Sequence, residues 1–238
     1  MKATVITICG IGAMIAAATI IAKPWVTIQH SKPIVVKGYA EQEITSDTGS
    51  LSARVVGTGA TNAEAYIQAG KYLDKVNLLI KHALPENTEI DEMETRISEV
   101  LAFDEKGNRT NQVEYYRAVR EIRVNSNDVH ALDRLSRQLY DLNAEGISIT
   151  VVGPEYFVSN LDEIKLDLVE QATKNGKERA EIMAGSSDQS LGSLVSAQQG
   201  VIQITKKNSG ETTSWGVYDT ETIDKVVKLV VTLEFEIE

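Results

Sequence analysis

The sequence predicts an α+β fold: antiparallel sheets with helices packed on one face, plus an N-terminal transmembrane helix. Three observations predict it. Apolar residues alternate with a period of two in several stretches and recur at three- and four-residue spacing in three others. Turn-rich links join neighbouring strands, which makes those strands antiparallel. Residues 3–22 form an uncharged, mostly apolar run. The predicted order is anchor, ββ, α, ββ, α, β, α, ββ. A helix followed by a strand pair occurs twice, after residue 61 and after residue 160, which suggests a degenerate duplication of a helix-hairpin unit.

The first element is ATVITICGIGAMIAAATIIA at 3–22. Twenty helical residues span about 30 Å, the hydrocarbon thickness of a bilayer. Lys2 precedes the run; Lys23, Pro24 and Trp25 follow it. The run is an uncleaved anchor (residues 1–23) or a signal peptide. A signal peptide has a shorter apolar core, and although Ala16-Ala17-Ala18 offers a cleavage site, Ile20, Ile21 and Ala22 continue the run. The length rule therefore favours the anchor. Ile8 before Cys9 is too large for a lipoprotein signal. Long domains translocate largely regardless of flanking charge. The expected location is the inner membrane, single-pass, with the body on the extracytoplasmic side; the alternative is a periplasmic or secreted protein after cleavage.

Residues 24–32 read as a tether and 33–238 as the body. The strand pair 33–46 and 50–58 turns at Asp47-Thr48-Gly49-Ser50. Thr61 caps a helix and Glu64 completes a capping box. That helix runs to about Leu84, before Pro85, with Tyr66, Ala69, Leu73, Val76 and Ile80 inward. Residues 90–103 and 112–125 form a long hairpin around Asp104–Asn108, with Tyr116, Ala118, Ile122 and Val124 on one face. A helix at about 128–143 turns Val129, Leu132, Leu135, Leu139 and Leu142 inward, and Gly146 lies beyond its end. Ile147–Val158 is a strand broken at Gly153-Pro154.

The third helix, Asn160 to Ala184, is the longest, about 36 Å at 1.5 Å per residue. Asn160 and Glu163 have capping-box spacing. Leu161, Ile164, Leu168, Ala172, Gly176 and Met183 face inward, and Ala172, Gly176 and Ala180 recur every fourth residue. A mid-helix glycine costs about 1 kcal/mol against alanine, so another backbone is expected to pass close by. Glu170–Lys174, Lys174–Glu178 and Lys177–Glu181 have i,i+4 spacing on the wet face. Residues 191–206 and 223–237 are the last strands, joined by the polar stretch Lys206–Trp215. The final strand alternates cleanly and, at about twelve residues, is long enough to leave an edge needing cover.

Composition narrows the function. The chain has 238 residues, 34 acidic and 24 basic. Lys2 and Lys23 are the only charges before Pro24, so the remainder carries net charge −12. Such a body is a poor match to nucleic acid or to anionic lipid head groups. The single cysteine, Cys9, lies inside the apolar run, so the body has no disulfide and no cysteine-based metal site.

Motifs that could carry chemistry all have a plainer reading. Asp47-Thr48-Gly49 matches an aspartic-protease loop, but such proteases need two copies, and these residues are also what a turn uses. Gly57-Thr58-Gly59 opens a helix as a dinucleotide loop does, but Asn62 stands at the third glycine position and no βαβ unit surrounds it. His30, His82 and His130 have no ligand spacing. No GxSxG, Walker or HExxH motif occurs. Glu89, Asp91, Glu92, Glu94, Asp104 and Glu105 read as a solvated face. Trp215 is a contact residue or a loop anchor, and Asn108-Arg109-Thr110 is an acceptor site only in a eukaryotic secretory pathway. No residue is assigned a catalytic, cofactor-binding or metal-ligating role, and no cofactor is expected.

The pieces IVVKGYAEQEITSD at 34–47, TNAEAYIQAGKYLDKV at 61–76, GPEYFVSNLDEIKLDLVEQATKNGKERAEIMA at 153–184, SLVSAQQGVIQI at 193–204 and VVKLVVTLEFEIE at 226–238 together resemble the SIMPL-domain family, a broad bacterial group of secreted or membrane-anchored proteins. The resemblance covers nearly all of 33–238. It implies an extracytoplasmic α+β body and brings no catalytic residues. The expected function is that of a non-enzymatic, membrane-anchored cell-envelope protein acting through self-association, as a homo-oligomer, or through an envelope protein partner. The alternative is an extracytoplasmic hydrolase or small-ligand-binding protein.

Overall fold

The computed structural model describes residues 33–86 and 88–238. The predicted span at 3–22, the tether at 24–32 and His30 lie outside the described residues. Among the described residues no helix is long and apolar enough to cross a membrane. The elements in chain order are β1 (Ile34–Thr45), β2 (Thr48–Gly59), α1 (Asn62–Ala83), β3 (Glu89–Glu92), β4 (Arg96–Phe103), β5 (Arg109–Ser126), α2 (Val129–Asp141), β6 (Ile149–Phe157), α3 (Leu161–Gly185), β7 (Leu191–Gln199), β8 (Gln203–Lys206) and β9 (Asp224–Ile237). All the ladders joining these strands are antiparallel.

They form two sheets. In the larger, β2 lies between β6 and β5, and β3 and β4 both pair with β5. In the smaller, β9 lies between β1 on one side and β7 and β8 on the other. The expected β1–β2 hairpin does not form. β1 pairs along its length with β9, from Ile34 opposite Phe235 to Thr45 opposite Asp224. The chain then crosses to the other sheet at Ser46 and Asp47, whose amides donate to Ile223 O at 2.9 Å and Phe157 O at 3.1 Å. Turn residues forecast a hairpin locally; twelve paired positions on a distant strand outweigh that signal. The long final strand is therefore central, and the uncovered edge belongs to β7.

Each sheet buries one face under helices. Leu51, Ala53 and Val55 of β2 and Ile122 and Val124 of β5 meet Leu73, Val76 and Ile80 of α1 and Leu132, Leu135 and Leu139 of α2 in one core. Val36, Ala40 and Ile44 of β1 and Val227, Leu229, Val231, Leu233 and Phe235 of β9 meet Leu168, Ala172 and Ala180 of α3 in a second. On α2 the expected inward residues are buried, Leu142 just beyond its end, and Ala131 and Ser136 join them. On α1 the inward residue of the first turn is Ala65, while Tyr66 lies outside with its ring under Arg120, 5.7 Å from the guanidinium. On α3 the inward row ends in Ala180 and Ala184, and Met183 points to solvent, because the row advances by fours.

The small-residue row has the physical cause expected of it. A Cβ on Gly38 of β1 would strike the Ala172 carbonyl and lie 2.8 Å from Gly176 N. A Cβ on Gly57 of β2 would strike the backbone of Ala69 and come within 2.5 Å of Ala65 O. Both sheets thus hold a helix backbone directly against a strand glycine. The likeness extends further: β3 and β4 pair with successive halves of β5 as β7 and β8 pair with successive halves of β9.

Capping differs from expectation in one helix. At α1, Thr61 Oγ1 accepts from Glu64 N at 3.2 Å, and the Glu64 carboxylate accepts from Ala60 N at 2.8 Å, one residue before the cap. At α3, Asn160 makes no side-chain cap. Its backbone (φ −96°, ψ 26°) lies outside the extended region that a cap adopts. The preceding Ser159 is held instead by Asp47, whose carboxylate accepts from Ser159 N at 2.9 Å and from its hydroxyl. Of the three predicted i,i+4 pairs on α3, Lys177–Glu181 is the one within ion-pair range among the described residues, at 3.8 Å.

Candidate functional site

Two places bear on the function expected from the sequence. The first is the join between the sheets. A cavity of about 800 Å³ there is lined by His130 and Asp133 of α2, Gly153–Tyr156 of β6, Thr220–Ile223 before β9 and Asp224, its first residue. Tyr156 N donates to Thr220 O at 2.8 Å, fixing the loop against β6. The Tyr156 hydroxyl is buried and donates to Asp133 Oδ1 at 3.4 Å. Burial first, then the Asp133 charge, push it up to about 12.

Asp219 begins the same loop and Lys225 follows it as the second residue of β9. Lys225 is fully buried; its amine donates to Thr222 O and lies 3.9 Å from Asp219 Oδ2. Burial pushes the Lys225 amine below the ordinary lysine range, with the Asp219 charge opposing. Burial alone would raise Asp219, but the Thr222 hydroxyl, the Glu221 amide and the Lys225 charge outweigh it and hold the carboxyl low. A lowered carboxyl is not the raised one that a general acid uses. His130, exposed at the cavity mouth, has no hydrogen bond to a hydroxyl among the described residues. The cavity can hold a small polar molecule, and the Thr222 hydroxyl in its wall donates to Asp219.

The second place is the free edge of the smaller sheet. β7, LGSLVSAQQ, has no charged residue, and Leu194 and Val195 are 49% and 55% exposed. Beside it an apolar groove of about 570 Å³ runs between the sheet and α3, lined by Glu170, Thr173, Lys174, Lys177, Gly192, Leu194 and Phe235. The opposite edge is treated differently. On β1, Tyr39 N donates to Asn175 Oδ1 at 3.1 Å and Lys37 O accepts from Arg179 Nη1 at 3.2 Å, so α3 closes that edge. β1 also carries Lys37, Glu41 and Glu43. Charge, a covering helix and bulges are the usual guards of an edge strand; β7 has neither of the first two, and two register shifts interrupt its ladder with β9.

The residues singled out from sequence fall elsewhere. Asp47 is at the crossover, tied to Ser159. Gly57 and Gly59 are in β2 against α1, where a Cβ on Gly59 would lie 2.7 Å from Ala65 N, so these glycines serve close strand–helix packing. His82 is exposed in the last turn of α1. Glu89, Asp91, Glu92, Glu94, Asp104 and Glu105 are exposed. Asp104 closes its turn, where hydrogen bonds from Asn108 and Lys106 hold its carboxyl low. Trp215 is 83% exposed and anchors nothing. Its loop is held by buried Gln203, which donates to Thr213 O at 2.7 Å and accepts from Val217 N at 2.9 Å. No group of His, Cys, Asp or Glu among the described residues could hold a metal ion.

With this geometry in place, a family model described as SIMPL, protein of unknown function, matches residues 34–225. The chain belongs to the SIMPL family. The SIMPL match opens at the first residue of β1 and closes at the second of β9, so it takes in the larger sheet, all three helices and the smaller sheet apart from most of β9. No curated protein matches the chain. Among solved structures, one from methicillin-resistant Staphylococcus aureus, assigned as an aminohydrolase, is similar at 14% identity with a TM-score of 0.25. The alignment takes in 59% of this chain and 39% of that one, and at that TM-score it carries no argument about fold or activity.

Proposed function

We propose that this SIMPL protein is a non-enzymatic cell-envelope protein, held in the inner membrane by residues 3–22 with its body outside the cytoplasm, and that it works by self-association or by binding an envelope partner. The observation that carries this reading is β7. Alternate residues of this nine-residue strand turn backbone groups to the free edge of the smaller sheet, without a charge or a covering helix. Such an edge is a template for one more strand, from a second copy or from another protein. The groove beside it offers apolar contact for alternate side chains of the added strand. The shared arrangement of helix, strand glycine and split hairpin in the two sheets supports a degenerate duplication. In that view β7 is the strand whose cover the monomer does not supply.

The test is light scattering on the protein at tens of micromolar, beside Val195→Lys and Leu194→Lys. The wild-type chain is expected to run larger than a monomer, or to retain an envelope protein on purification from membranes. Each lysine variant is expected to lose that association while keeping its circular dichroism. A clean monomer that retains no partner would sink the reading. The join cavity favours the second reading, a hydrolase or small-ligand binder; a bound small molecule found there by mass spectrometry of the native protein would shift the balance.

A further inference from the structure

The larger sheet has an outer face turned away from α1 and α2, and cations gather on it. Leu51, Ala53 and Val55 point into the core, so Arg54 points outward. The same alternation on β5, where Ala118, Ile122 and Val124 are buried, turns Arg117, Glu121 and Arg123 outward. Register sets Arg54 opposite Glu121, and Arg96 of β4 beside Val119. These four arginines, with Glu94 and Glu121, line one groove of about 730 Å³. Arg54 is neutralised by Glu121 at 2.8 Å. Among the described residues Arg96, Arg117 and Arg123 have no carboxylate within ion-pair distance.

Four arginines against Glu94 and Glu121 in the groove, with Asp91 facing Arg123 in register, leave a cationic excess on one face of a chain whose net charge is −10. Arg117 and Arg123 lie about 20 Å apart along β5 at roughly 3.4 Å per residue. That length exceeds a single small anion and matches an extended segment of about six residues. In such a segment alternate side chains face the same way, about 7 Å apart. Guanidinium forks take carboxylates in paired hydrogen bonds. A nucleic acid or a charged bilayer would have to approach the whole acidic molecule, whereas a short segment meets the groove alone.

We propose that this groove binds an extended acidic peptide segment of a partner protein, its alternate carboxylates seated on Arg96, Arg117 and Arg123. The inference rests on the partner-binding arm of the proposed function and names a face for it distinct from β7. The test is fluorescence anisotropy with the full-length protein in detergent and a labelled peptide in which Glu and Ser alternate over eight positions. Saturable binding is expected. Arg117→Gln with Arg123→Gln should weaken it roughly tenfold, as loss of two exposed charge pairs does. Arg96→Gln alone, on the peripheral strand β4, should weaken it about threefold, which keeps the test sound if the double variant misfolds. Lys71→Gln with Lys81→Gln on α1 should leave it unchanged.

Equal binding of the Gln-for-Glu peptide would overturn the proposal, as would equal loss from the lysine changes. Displacement of the peptide by millimolar phosphate at constant ionic strength would also overturn it, since it would mark a small-anion site. An envelope protein that still co-purifies with the folded double arginine variant would overturn this inference while leaving the proposed function standing.

Discussion

Gly38 and Gly176 face each other so closely that a Cβ on Gly38 would strike the backbone of α3. A Cβ on Gly176 would lie 2.7 Å from Leu233 Cδ1 and 3.2 Å from Gly38 Cα. Gly38→Ala should therefore destabilise the protein by about 3 kcal/mol, at the upper end of overpacking costs, as read from the urea midpoint. An equal midpoint would show that α3 can lift away freely. The sequence signals this contact from the helix side, through a glycine where propensity disfavours one. It gives no sign of which strand supplies the partner glycine, because that pairing joins residues 136 positions apart in the neighbouring Tyr39–Asn175 bond. Asp219 was equally hidden among many carboxylates, and its titration offers a second check. Its pKa is lowered in the folded state, so its contribution is fully present above the unfolded value of about 3.9 and is lost as pH falls through the folded value. The stability gap between wild type and Asp219→Asn should narrow across that acidic window in denaturation series run at successive pH values. A gap that stays constant would show that the charge of Asp219 contributes nothing.

At the scale of elements, α3 does two jobs. Its small-residue row packs on the sheet, and Asn175 and Arg179, one turn apart, occupy backbone groups on the outer edge of β1. Replacing both by alanine should leave secondary structure intact, because neither side chain is in the core. It should also open β1 to pairing, seen as concentration-dependent association absent from the wild-type β1 edge, with Val195→Lys in the background to silence β7. No added association would mean that Lys37, Glu41 and Glu43 guard the edge unaided. Periodicity identified the helices and most strands well, since burying one face imposes period 3.6 or 2 wherever an element lies. Pairing was less readable. Turn residues at 47–50 look alike whether the chain doubles back or crosses to another sheet, and the exposure of β7 follows from what stops short of covering it.

At the scale of the whole molecule, the two cores are built on different sheets and meet at the crossover, at Phe157–Ser159 and at Ile223. The proposed anchor at residues 3–22, uncleaved and spanning a bilayer, would hold this pair of sheets near a membrane. The protein should then resist carbonate extraction and begin near Met1 by N-terminal sequencing; a soluble form starting near Thr19 would mark a cleaved signal instead. The β1–β9 ladder has a further consequence, for biosynthesis. The larger sheet draws every strand from residues 48–157 and has all its partners once β6 has left the ribosome. β1, made first, waits for a partner made last: Thr45 and Asp224 are 179 residues apart. At about 5–20 residues per second the nascent chain carries an unpaired twelve-residue strand for roughly 10–40 s. A chain released before residue 224 should therefore hold a folded larger sheet and an open smaller one, protected from a protease between 48 and 157 and cut within β1 and α3.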